Sequence, residues 1–239
     1  MRAVPVPVVA TVPEPEPINA TCSDAVCFDP LHFDAMYAGT DDPWHLRTRW
    51  YEQRKRALTL ACLPAARFGS AYEPGCAGGE LSLALASRCD RLLISDASPQ
   101  ALQVARQRTA GLAHVQACQA QLPQDWPAQR FDLIVLSEVA YYLTAVALDQ
   151  LAQRLREALL PHGALLACHW RAPIAGCAMT GDEVHRRLTH GLSNGLRNGL
   201  ALSTLCSYRD DDLVLDVWSP DALSVAEREG FKTAGHRLA

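Results

Sequence analysis

The chain has 239 residues, 49% of them hydrophobic, enough to bury the core of one domain, and a formal charge of 22 − 26 = −4. That balance lacks the cationic surplus that nucleic acids and anionic membranes attract, and no run approaches the roughly 18 apolar residues of a bilayer span. Neither is an expected partner. The nine cysteines, at 22, 27, 62, 76, 89, 118, 168, 177 and 206, are odd in number and form no CxxC pair. Several sit inside apolar runs, so they read as reduced thiols of a cytoplasmic protein. Cys22 and Cys27 have no second pair of ligands downstream, and no metal is expected.

In chain order, residues 1–30 come first, broken by Pro5, Pro7, Pro13, Pro15 and Pro17. These prolines forbid the unbroken apolar helix of a signal peptide, and the segment reads as a disordered tail to a domain over 31–239. Asp42-Pro43-Trp44 has the cap and first-turn proline of a helix start, for a helix running to about Cys62 before Pro64. Arg47, Arg49, Arg54, Lys55 and Arg56 read as its solvated face. Lys55 and Lys232 are the only lysines, which reads as a composition habit.

Strands and helices then alternate. Ser70–Glu73 is a short strand before the helix in "GELSLALAS"; "RLLIS" ends at Asp96, and Ser98-Pro99 opens "PQALQVARQRTA". "AHVQAC" and "FDLIVLS" are further strands, the second a continuous apolar run of the type covered on both faces. A helix at Val146–Leu160 is expected to end at Pro161-His162-Gly163, before the strand "ALLACHW". "GDEVHRRLTHGL" reads as helix, Asn194-Gly195 and Asn198-Gly199 as breaks, and "LALSTLCSYRDDDLVLDVW" as a hairpin turning at Arg209–Asp212. Ser219-Pro220-Asp221 is expected to cap a last short helix. The fold class is therefore α/β: a mostly parallel sheet with helices on both faces, closed by an antiparallel hairpin. Seven strands are expected, in the outline of a Rossmann-like class I methyltransferase.

The glycine-rich stretch "AYEPGCAGGE" decides between cofactors. A dinucleotide fingerprint started at Gly75 needs glycine at 77 and 80, where the chain has Ala77 and Glu80. The acidic-x-G-x-G-x-G pattern of methyltransferases is filled at Glu73, Gly75 and Gly79, with Ala77 tolerable if its φ stays negative. S-adenosyl-L-methionine carries no pyrophosphate. Gly75 and Gly78, with Cys76, would let the backbone approach it, and Glu73 would face its ammonium. Asp96, 21 residues after Gly75, could accept both ribose hydroxyls beside Ala97, or could serve as a turn aspartate with Ser98 as the helix cap. Gln121 and Leu122 follow the third strand, where they could meet adenine; Gln121 could equally be an ordinary loop residue. Ser137 and Glu138 end the fourth strand, at the sheet edge where ligands of such folds bind.

The segments "DPWHLRTRWYEQRKRALTLACLP", "YEPGCAGGELSLALASRCDRLLISDASPQAL", "LPQDWPAQRFDLIVLSEVAYYL", "HWRAP" and "MTGDEVH" resemble the NodS-like methyltransferases over about residues 33–230. The resemblance implies S-adenosylmethionine-dependent N-methylation of a free amine on a deacetylated chito-oligosaccharide. Family members commonly have aspartate where this chain has Gln121, which implies an altered contact to adenine.

For methyl transfer, Glu138, His169 and Tyr142 are the catalytic candidates, since an attacking amine must be neutral and a base is useful. Trp44, Tyr141, Tyr142, His169 and Trp170 are candidates for the acceptor, because aromatic faces stack on sugars. His169 could instead be a hydrogen-bonded strand-end histidine, Trp50 reads as core, and one of Tyr141 and Tyr142 is expected to face the site. The helix at 43–60 is expected to cover the cofactor through Tyr51 or Arg54. An O-methyl acceptor is the main alternative; an NAD-dependent oxidoreductase and a non-catalytic cofactor-binding module are less favoured. A monomer and a homodimer are both compatible with the sequence.

Overall fold

The structure, a computed structural model, describes residues 30–193 and 201–233. The proline-rich segment to residue 29, Cys22 and Cys27, and the Asn-Gly steps between 194 and 199 lie outside them. Seven strands are formed: β1 (Ala71–Pro74), β2 (Leu92–Asp96), β3 (Val115–Gln119), β4 (Phe131–Ser137), β5 (Leu159–Trp170), β6 (Ser203–Arg209) and β7 (Leu213–Ser219). They make one sheet in the order β3-β2-β1-β4-β5-β7-β6. The first five are parallel, and β7 inserts antiparallel between β5 and β6.

The helices are α1 (Pro30–Met36), α2 (Trp50–Ala61), α3 (Glu80–Ala86), α4 (Pro99–Thr109), α5 (Ala145–Ala158), α6 (Gly181–Ser193) and α7 (Val225–Arg228). The apolar run of β4 explains how they flank the sheet. Leu133 and Val135 join the core with Leu85 of α3 and Leu102 of α4; Ile134 and Leu136 join the other, with Leu148 of α5 and Leu188 of α6. Removing such a side chain from water contributes about 1.5–3 kcal/mol. Strand β4 must therefore be apolar on both faces. The chain lays β1 to β3 outward on one side, then returns to start β4 on the other. The carboxyl ends of β1 and β4 part there, leaving a crevice.

Three local expectations are corrected. Asp42 does not start the helix: its carboxylate accepts from the backbone N–H groups of Leu46 (2.7 Å) and Arg47 (3.2 Å), closing turns instead. His45, at φ +58°, interrupts any helix there, and α2 begins at Trp50. Helix α5 ends at Ala158 and passes directly into β5, without waiting for Pro161-His162-Gly163. Leu159 pairs with Phe131, and the register shifts before Leu133 pairs with Ala164. A bulge absorbs the intervening residues. Helix α7 is capped by Ser224 and Glu227 as a reciprocal capping box, whereas the Ser219 hydroxyl donates to Gly163 O at 2.8 Å. No helix among the described residues is long and apolar enough to cross a membrane.

Candidate active site

A cavity of about 460 Å³ lies over the carboxyl ends of β1, β2 and β4; α1, the turns after it and α2 supply the facing wall. Its floor on one side is the β1–α3 loop. Gly75 stands at φ +73°, and a Cβ there would lie 2.7 Å from Val139 Cγ2, so no side chain fits. The N–H groups of Gly75 and Cys76 both donate to Ser95 O, at 2.7 and 2.9 Å. Ala77 is left-handed as well, at φ +47°, so its backbone does not keep the negative φ expected of it. Its N–H donates to Asp96 Oδ2 at 2.9 Å, which ties the loop to the end of β2.

Asp96 takes a second bond on Oδ1, from Ser98 N–H at 2.9 Å, while the Ser98 hydroxyl caps α4 by accepting from Ala101 N–H. The carboxylate thus holds the loop and still has lone pairs toward the cavity. Glu73 is only 3% exposed, with the Ser82 hydroxyl donating to Oε2 at 2.5 Å. Burial raises its pKa to about 8; Ser82 opposes the rise and Asp96 adds to it. Tyr37 of the α1 segment faces the same region. Its hydroxyl is buried with no hydrogen-bond partner among the described residues, and burial, then Asp96, raises its pKa.

Across the crevice Glu138, at φ +56° after β4, is a hub. Its Oε1 accepts from Lys55 Nζ (2.8 Å) and Tyr51 OH (3.2 Å); its Oε2 accepts from Tyr141 OH (2.7 Å) and the Trp170 N–H (2.9 Å). These four donors fill the carboxylate's four acceptor positions. Lys55 also pairs with Glu52 at 2.8 Å. Burial works against the ammonium, but Glu138 and Glu52 outweigh it and raise the Lys55 pKa. Aromatic rings pack edge to face around the hub: Tyr51 on Trp170 at 5.0 Å, Tyr141 on Tyr142 at 4.7 Å, and Tyr142 on Phe33 at 5.0 Å.

Most residues singled out in the sequence meet at this cavity: Trp44, Tyr51, Glu73, Gly75, Cys76, Asp96, Ala97, Gln121, Leu122, Ser137, Glu138, Tyr141, Tyr142 and Trp170 all line it. Both tyrosines do so, not one of the two. Three candidates do not reach it. Arg54 points to the far side of α2, where it binds Tyr208 OH (2.5 Å) and Asp210 (2.6 Å) on the β6–β7 hairpin. Gly78 faces Arg108 and Val104 of α4, so its missing side chain serves helix packing. His169 is fully buried: its Nε2 accepts from Ala140 N–H at 3.1 Å and its Nδ1 meets His185. It does not line the cavity, but packs edge to face on Tyr141, which does. Trp50, expected in the core, is 73% exposed.

The basic residues of α2 are not a uniform solvated face either. Lys55 is buried, Arg49 and Arg56 line the cavity, and Arg54 is paired. The sequence reading missed Glu52, Lys55 and Tyr37. One signal was available for Lys55: a lone internal lysine in an arginine-rich chain, one helical turn from Tyr51 and Thr59. Lysine's compact ammonium can sit between two carboxylates where the broad guanidinium of arginine needs more room.

The strand order, the antiparallel β7 and the loop after β1 define a class I methyltransferase fold. Within that class the chain belongs to the NodS family: the family model for Nodulation protein S (NodS) matches residues 35–192. Nodulation protein S of Bradyrhizobium diazoefficiens is 39% identical over 109 residues, 44% of this chain and 51% of that protein. The chain thus spans about half the length of the curated relatives it matches. Among solved structures, a proposed methyltransferase from Pseudomonas syringae is 47% identical over 72% of this chain and 99% of its own, with a TM-score of 0.61. The N-methyltransferase NodS from Bradyrhizobium japonicum WM9, in complex with S-adenosyl-L-homocysteine, is 26% identical over 79% of this chain and 96% of its own, with a TM-score of 0.66.

Proposed function

We propose that this protein transfers a methyl group from S-adenosyl-L-methionine to an amine of a small molecule, and that the acceptor is an amino sugar or a deacetylated chito-oligosaccharide. The observation that carries the reading is one cavity with two unlike halves: two carboxyls around a close-approach loop at β1 and β2, and an aromatic, hydrogen-bonded array at β4 and β5. The residues of the first half fit the cofactor. Glu73 is a buried carboxyl without a cation, which an amino-acid ammonium would supply. Asp96 has acceptor capacity left for ribose hydroxyls, the Tyr37 hydroxyl lacks a partner, and Gln121 and Leu122 stand where an adenine would lie. Two carboxyls beside the loop, Glu73 buried and Asp96 half-buried, disfavour a pyrophosphate, and with it the dinucleotide reading.

When bound, the cofactor supplies an electrophilic methyl carried on sulfur. The chain's own contribution is orientation and exclusion of water. Glu138, saturated by four donors, fixes Tyr51, Lys55, Tyr141 and the Trp170 backbone in one array rather than acting as a base. Trp44, Tyr142 and Trp170 offer flat apolar faces for a sugar ring. His169 contributes through the Ala140 backbone. The N-methyltransferase structure and the Nodulation protein S relatives support an amine over a hydroxyl acceptor. The reading includes a cytoplasmic enzyme, in keeping with free thiols at Cys62, Cys76, Cys89, Cys118, Cys168 and Cys206.

The test is a transfer assay with methyl-labelled cofactor and three acceptors: glucosamine oligomers, their fully N-acetylated counterparts and a panel of simple hydroxyl compounds. Label is expected in the free-amine oligomers alone. Transfer only to hydroxyl compounds would overturn the amine assignment, and failure to bind S-adenosyl-L-homocysteine would overturn the methyltransferase reading.

A further inference from the structure

We propose that Glu52 receives the acceptor's amine: its second carboxylate oxygen takes an amine N–H and so selects amines over neutral hydroxyls. The proposal rests on the amine-acceptor reading above and adds the residue that enforces it.

Five carboxyl side chains line the cavity, and four are already committed. Glu138 has all four acceptor positions filled. Asp96, held by two backbone N–H groups, and Glu73, which accepts from Ser82, belong to the cofactor half of the cavity. Glu80 faces Arg108 at 3.3 Å, on the α3–α4 side. Glu52 differs. Its Oε2 pairs with Lys55 Nζ at 2.8 Å, and it has no second polar partner among the described residues.

Its place in the cavity agrees with this role. Lys55 Nζ lies 2.8 Å from both Glu52 and Glu138, so Glu52 adjoins the β4–β5 end of the crevice, away from Asp96 on β2. The neighbouring Tyr51 packs on Trp170 there. Glu52 and Glu138 bring two negative charges and Lys55 one positive, leaving the trio at −1. A low-dielectric site favours a cation that completes the balance. An amine fits both before and after reaction. The amine would bind as an ammonium and lose one proton to solvent. The neutral nitrogen's lone pair would then form the N–C bond as the methyl–sulfur bond breaks with its electron pair staying on sulfur, while a remaining N–H donates to Glu52. The product ammonium would in turn lose a proton to solvent. A hydroxyl acceptor arrives neutral and offers no such charge.

The test uses Glu52→Gln, which keeps a carbonyl oxygen for Lys55 but removes the charge. Acceptor KM and kcat are measured with a glucosamine tetramer, and S-adenosyl-L-homocysteine affinity by calorimetry on the same preparation. Acceptor KM is expected to rise about tenfold or more with cofactor-product affinity within about twofold of wild type. An unchanged KM overturns the proposal. So does a matching loss of S-adenosyl-L-homocysteine affinity, which would place Glu52 in the cofactor half. Should Glu52→Gln fail to fold, Glu52→Asp retains the charge at shorter reach; a raised KM is expected, and a wild-type KM overturns the proposal. Absence of transfer to any amine by the wild type is distinguishable from all of these and removes the underlying reading as well.

Discussion

His169 Nδ1 lies 3.0 Å from His185 Nε2 in the buried core, and their outer partners fix the proton between them. Ala140 N–H donates to His169 Nε2, so the His169 proton sits on Nδ1 and points at His185. His185 Nε2 must then be bare, and its Nδ1 proton goes to Asp216 Oδ2 at 2.5 Å. Both rings are neutral and both are Nδ1–H tautomers, assigned from this network. The chain of bonds ends on a backbone N–H, so it anchors and does not conduct protons. What it anchors is the turn after β4, which carries Glu138, Tyr141 and Tyr142 into the cavity.

Acid should unlock this anchor. Burial, then His185 and Lys55, hold the His169 pKa well below the ordinary histidine value. The unfolded chain takes up a proton near pH 6.5 that the folded chain refuses. Stability from this group is therefore complete above about pH 6.5 and falls below it, by about 1.4 kcal/mol per pH unit. His169→Gln offers an oxygen to Ala140 N–H without titrating. Its melting temperature is expected to decline less steeply than wild type between pH 6.5 and 5.5. Parallel slopes in thermal denaturation would show that His169 is not the group responsible.

Glu73 titrates in the opposite sense. With its folded pKa raised to about 8, its contribution to stability is full below about pH 4.5 and is lost as pH rises through 8. At pH 7 the free protein therefore holds this carboxyl mostly protonated. Binding of a ligand ammonium favours the carboxylate, so a proton is expected to leave. Calorimetry with S-adenosyl-L-homocysteine at pH 7, in two buffers of different ionisation enthalpy, should show release of a substantial fraction of one proton. Glu73→Gln should remove it. Identical heats in the two buffers for wild type would count against an ammonium beside Glu73.

The left-handed Ala77 predicts a stabilising change. An L side chain at φ +47° costs about 1–2 kcal/mol, and glycine removes that strain while adding about 0.4–1 kcal/mol of unfolded-state entropy. Ala77→Gly should therefore gain about 0.5–1 kcal/mol in denaturant unfolding, with the Asp96 contact to residue 77 N–H retained. A loss of stability would mean that the alanine methyl contributes packing that outweighs its strain.

Much of this site was legible in the sequence because its signals are local. Glu73, Gly75 and Asp96 sit at fixed offsets from strand ends, and strand ends are marked by the apolar runs before them. Such residues share one edge of a parallel sheet whatever else the chain does. Arg54 and His169 show the limit. Each lies beside a residue that lines the cavity, Lys55 or Trp170, and one step along a helix or strand turns a side chain to another face. Deciding between neighbours needs the exact helix phase and strand register. The proline at 43 misled in the same way, because Asp42 makes capping bonds without a helix to cap.

The sequence by itself determined the parallel sheet and the loop chemistry that suits a cofactor without phosphates, both of which follow from periodicity and short spacings, and it carried the segments whose resemblance pointed to the family. Only the tertiary structure decided that Ala77 and Glu138 have positive φ, that Glu138 is saturated, and that Lys55 lies between it and Glu52. Those facts arise where α2 folds onto the ends of β4 and β5. Glu52 and Glu138 stand 86 positions apart in the chain, and no local pattern records which carboxylate, once both are brought beside one buried ammonium, keeps an oxygen to spare.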